Sequence, residues 1–135
     1  MKIGYIVNCL VVFALLLSTN YYASSPDRSK ADNKIENIED NLLEGLTSEN
    51  LGLRISTAYY LGEYKSERAL IPLIKMLHNE KEDGARIQAA LSLIKIGDPK
   101  GAFMVKQAAK FDESARVRNF CNKFYNAYQE NSINK

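Results

Sequence analysis

From Ile35 onward apolar side chains return every third or fourth residue, the period of a helix with one buried face. No stretch alternates residue by residue as a half-buried strand would. Ile35, Ile38, Leu42 and Leu46 form the first stripe, with Asn33 and Glu36 ahead of it at capping-box spacing. Leu53, Ala58 and Leu61 place a second helix on one inward face, closed near Gly62. A third is expected over about 67–78, with Leu70, Leu73, Ile74 and Leu77 inward, and a fourth over about 84–96, ended by Gly97. Asp98 and Pro99 then supply an N-cap and a first-turn proline for a fifth, since proline lacks only an N–H that would be unpaired there. A sixth is expected over about 114–129. Polar turns between short helices predict an all-α array of antiparallel hairpins.

Stripe width says which helices sit inside the array. The fourth carries Ala85, Ile87, Ala89, Ala90, Leu91, Leu93, Ile94 and Ile96, too many for one face, so it should be sandwiched. The sixth shows a single stripe, Val117, Phe120, Cys121, Phe124, Tyr125 and Tyr128, backed by Arg116, Asn119, Asn122, Lys123 and Asn126. The first is also one-sided, with Glu36, Asn37, Glu39, Asp40 and Glu44 outward. One-sided ends around a two-sided middle predict a capped array.

The array repeats. Moved by 32 residues, Leu53, Arg54, Thr57, Ala58 and Leu61 fall on Ala85, Arg86, Ala89, Ala90 and Leu93. A second move puts them on Val117, Arg118, Cys121, Asn122 and Tyr125. Ser66 falls on Asp98, Ala69 on Gly101 and Leu73 on Val105. A fixed period of this size marks a solenoid, in which each unit buries its apolar face only against its neighbours. The stretch RIQAALSLIKIGDPKGAFMVKQAAKFDESARVR resembles the short bacterial HEAT repeat, including the form found in phycobilisome lyases. The resemblance covers about 50–125 and departs in the first repeat, where Glu63-Tyr64-Lys65-Ser66 stands in place of Gly-Asp. It implies a short right-handed α-solenoid of about six helices. It also implies that Arg54, Arg86 and Arg118 are structural, each packing across a repeat boundary onto a turn acid such as Asp98 or Asp112.

Ahead of the array the pattern changes. Residues 3–17 carry no charge and follow the lone Lys2, the order of a signal peptide's basic and apolar regions. Asn8, Ser18 and Asn20 keep the run short of the roughly 20 apolar residues of a spanning helix. The organisation expected is a signal peptide over 1–24, a flexible linker over 25–34, a HEAT-like domain over 35–130 and a disordered tail over 131–135. Export to a periplasmic or extracellular space follows. The alternative is an anchor formed by residues 3–23, which would then be the chain's contact with a membrane.

Charge narrows the partners. The formal net charge is +2, and +1 without Lys2, which gives no general attraction for nucleic acid or anionic lipid. Cys121 is the one cysteine outside the targeting segment, so the domain must be held by its core and not by disulfides. His78 is the one histidine, and no metal, cofactor or catalytic constellation is visible. Tyr59, Tyr60 and Tyr64 exceed what one buried stripe needs, and tyrosine is enriched at protein interfaces. Packing against the first helix is the nearer expectation for them. The reading is a monomeric, non-catalytic, exported module that binds a protein partner and no nucleic acid. Two alternatives stand beside it. One is a nucleic-acid binder using Lys106 and Lys110 on a basic concave surface; the other, implied by the resemblance alone, is a lyase or lyase subunit.

Overall fold

The computed structural model describes residues 28–133, with side-chain environments from 37 to 132. The expected targeting segment lies outside these residues. The chain divides between Ile35 and Glu36, and the packing described below belongs to the unit that starts at Glu36. The helices are α1 (Arg28–Gly45), α2 (Leu51–Glu63), α3 (Leu70–Asn79), α4 (Asp83–Ile96), α5 (Pro99–Phe111) and α6 (Ala115–Ile133). A 3₁₀ turn, Glu67–Ala69, leads into α3, and no strand occurs among the described residues. In one layer α4 lies between α2 and α6; in the other, α3 lies beside α5. The fold is an all-α solenoid.

Two boundaries differ from expectation. Helix α1 begins at Arg28, so 28–34 is helical backbone where a flexible linker was expected, and Asn33 is not a cap. No glycine or proline interrupts the chain between Pro26 and Gly45, so a helix held by the Ile38–Leu46 stripe propagates backward at little cost. Helix α6 likewise continues to Ile133, into the segment expected as a disordered tail.

The repeat register holds in three dimensions. Leu61 and Leu93 are fully buried, and so are Leu73 and Val105. Helix α4 buries Ala85, Arg86, Ala89, Ala90, Ser92 and Leu93, positions that run most of the way round it. Helix α2 ends at Glu63, next to Gly62 as expected, but Gly62 has a second role. That role is close approach: a Cβ there would lie 2.8 Å from the Ser92 Cα. Ser92 Oγ donates to Ala58 O at 2.7 Å across the same contact. Small residues on both sides let α2 and α4 approach closely.

The two inter-helix turns match although their sequences differ. Gly97 takes the left-handed conformation at φ 82°, and Lys65, one repeat earlier, does so at φ 51°. The next residue caps the following helix in both cases. Ser66 Oγ accepts from Ala69 N, and the Asp98 carboxylate accepts from Lys100 N and Gly101 N. A left-handed conformation costs a residue with a Cβ about 1 kcal/mol, a cost that glycine escapes. Lys65→Gly is therefore expected to raise stability by no more than about 0.5 kcal/mol, read by urea unfolding, because the entropy glycine adds to the unfolded chain offsets much of the relief.

Candidate functional site

The three arginines occupy one repeated socket at the start of α2, α4 and α6. Arg54 Nη1 donates to Ser48 O and Glu49 O, Arg86 Nη1 to Glu80 O and Lys81 O, and Arg118 Nη1 to Asp112 O and Glu113 O. In Arg54 and Arg86 the rest of the guanidinium faces the turn after the next helix. Arg54 forks onto Glu80 at 2.6 and 3.0 Å, and Arg86 onto Asp112 at 3.0 Å through both nitrogens. These hydrogen bonds raise the pKa of both arginines. Asp112 plays its expected part. Asp98 does not, because its carboxylate is committed to capping α5, and Glu80 supplies the acid for the first repeat. The ladder is a set of cross-repeat braces.

Cys121 is fully buried in α6, at the repeat position of Thr57 and Ala89. Burial is the main cause that pushes its pKa up to about 12, with the nearby Asp112 adding to the rise. A thiol reagent at neutral pH should modify it slowly in the folded protein and quickly in denaturant, because only the thiolate reacts. Comparable rates in the two states would place this face of α6 at the surface.

The tyrosines lie outside the core, contrary to the nearer expectation. Tyr60 is 50% exposed and Tyr64 62%, and Leu53, expected inward, is 47% exposed. They are seven and eleven residues beyond Leu53, on one stripe that runs along α2 to its C-cap, Tyr64. One repeat later, the positions of Leu53 and Tyr60 are Ala85 and Ser92, both fully buried. Ser92 there faces α2 directly, through its bond to Ala58 O. The stripe thus occupies the face that, in α4, stacks on the preceding helix of the same layer. Thr57 is the buried member of this stripe, with Gly45 of α1 close against it. Tyr59, turned aside, meets Tyr60 edge-on at 5.3 Å and sits beneath the Lys95 ammonium at 5.0 Å. Lys95 also pairs with Glu63, and that bond holds the Glu63 carboxyl below its usual range.

The two lysines singled out from sequence do not act alike. Lys106 is half-buried with its ammonium 5.3 Å from the Tyr125 ring centre, whereas Lys110 is exposed. Sequence reasoning also missed Ile71, Phe103 and Phe111, exposed on α3 and α5. Ile71 and Phe103 are repeat equivalents, a signal that alignment at the 32-residue period carries. His78 is exposed near the end of α3. Among the described residues no group of three or more His, Cys, Asp or Glu is placed to hold a metal ion. No helix among them is long and apolar enough to cross a membrane.

A family model described as HEAT repeats matches residues 34–120. The chain belongs to the HEAT-repeat family. Among solved structures, the HEAT chain resembles human deoxyhypusine hydroxylase in complex with glycerol, with a TM-score of 0.62 and 25% identity. The likeness covers 68% of this chain and 32% of the hydroxylase, so this HEAT array spans about a third of that protein. No curated protein matches the chain.

Proposed function

We propose that this HEAT array is a non-catalytic, exported interaction module that docks a protein partner on the open face of α2. The observation that carries the reading is the stripe Leu53–Tyr60–Tyr64, exposed at positions whose repeat equivalents Ala85 and Ser92 are fully buried. Large amphipathic rings at such a position suit a partner helix laid where a preceding repeat would stack. Tyrosines also lose little rotamer freedom on binding, which favours them as interface anchors. Export rests on the uncharged run 3–17 behind Lys2. The hydroxylase is about twice as long as this chain, and its activity is that of the longer protein.

A photocrosslinker at Tyr64 should trap a protein from the exported fraction. Leu53→Ser with Tyr60→Ser should lower capture about tenfold or more, the effect of losing one interface hot spot. Capture unaffected by the double substitution would contradict the docking face. N-terminal sequencing of the mature chain should begin between Ser18 and Ser25; full-length chain confined to the cytosol would overturn export.

A further inference from the structure

Helices α3 and α5 contain no aspartate or glutamate. Their shared outer face carries Ile71 and Lys75 from α3, and Phe103, Lys110 and Phe111 from α5, all exposed. None of the ion pairs among the described residues uses Lys75, His78 or Lys110. Arg54, Arg68, Arg86 and Lys95 each hold a carboxylate. Lysines without an ion pair, interleaved with exposed apolar side chains on two helices that carry no acid, set this face apart.

The face is also grooved at the repeat period. Between α1 and α3 lies a groove of about 750 Å³, with Leu43, Leu46 and Pro72 in its walls. Between α3 and α5 lies a second, of about 490 Å³, walled by Ile74, Met104 and Ala108. Each is bordered by one arginine brace, Arg54–Glu80 in the first and Arg86–Asp112 in the second. Adjacent packed helices lie about 8–10 Å apart, so equivalent grooves recur at that spacing. Seven residues of a helix rise about 10.5 Å, and two apolar side chains so placed can enter both grooves together.

We infer that the α3–α5 face binds an acidic amphipathic segment of another protein, its apolar anchors in the two grooves and its carboxylates on Lys75 and Lys110. This second site is independent of the α2 face. Charge complementarity selects the acid, and the apolar walls select side chains over a sugar–phosphate backbone.

The test is fluorescence anisotropy on the full chain with three probes. The first is a helical peptide of Glu, Leu, Phe and Ala, about four turns long, with apolar anchors one and eight positions into it. The second replaces each Glu by Lys, and the third is an oligothymidylate of similar length. The acidic peptide should bind about tenfold or more tightly than the basic one, and Lys75→Glu with Lys110→Glu should remove that advantage. Ile71→Ser with Phe103→Ser should also weaken the acidic peptide about tenfold, an effect that persists at high salt where charge is screened. Tyr60→Ser should leave this binding unchanged, so failure here and failure of the α2 docking face are separable. Equal binding of the acidic and basic peptides overturns the inference, and so does an acidic peptide that fails to bind or is indifferent to the lysine substitutions. Tighter, steeply salt-dependent binding of the oligothymidylate would assign the face to nucleic acid instead.

Discussion

Arg86→Ala is expected to lower the unfolding free energy by about 3–5 kcal/mol, the range for breaking a buried ion pair by removing one partner. The side chain is 4% exposed and its acid, Asp112, 8%. Its loss leaves the carbonyls of Glu80 and Lys81 without its donors and the carboxylate of Asp112 with the Ser114 N–H alone. The turn is close to solvent on its Glu113 side, which places the effect toward the lower end. Arg118→Ala removes the two carbonyl contacts alone and should cost about 1–2 kcal/mol. The double substitution Arg86→Met with Asp112→Leu should recover part of the loss, because no buried charge is then stranded. Urea unfolding of the four proteins gives these numbers. Equal losses for Arg86→Ala and Arg118→Ala would show that the cross-repeat brace contributes nothing beyond its carbonyl contacts.

Leu93→Ala should cost about 2–5 kcal/mol, from the transfer free energy of the lost carbons and the cavity they leave. Leu93 is fully buried in α4, the helix packed on both sides, and its Cδ2 would stand 3.3 Å from a Cβ at Gly101 of α5. The surroundings are backbone-close and relax little, which favours a large effect. Small domains have only about 5–15 kcal/mol in hand, so the variant should unfold at markedly lower urea. A loss below about 1 kcal/mol would mean that α4 is not the centre of the array.

The repeat was legible because burial in a solenoid is periodic. Arg54, Arg86 and Arg118 mark the same socket, and Leu61 and Leu93 the same core position. Asp98 and Pro99 announced the start of α5 through local capping chemistry alone. The misplaced residues share one cause. Leu53 is exposed although its equivalents Ala85 and Val117 are buried, because burial there requires a preceding helix in the same layer. Tyr59, Tyr60 and Tyr64, expected against the first helix, are exposed for the same reason. Apolar identity at a repeat position does not say whether a neighbour is present. Gly62 lies beside the end of α2 and also marks close helix contact, and a lone glycine does not separate the two signals. The start of α1 was set too late because Asn33 and Glu36 form a capping pattern that the uninterrupted helix overrides.

The open α2 face is the claim on which the proposed docking function depends. It can be tested without knowing the partner, by thiol labelling at three repeat-equivalent positions. In a chain carrying Cys9→Ser and Cys121→Ala, the variants Leu53→Cys, Ala85→Cys and Val117→Cys are each exposed to a thiol reagent under native conditions. The account predicts that Leu53→Cys reacts near the rate of an unprotected thiol. Ala85→Cys and Val117→Cys should react only as fast as the protein opens. A Leu53→Cys thiol as protected as the other two would mean that the face is already covered, and the docking function would have no surface to act through.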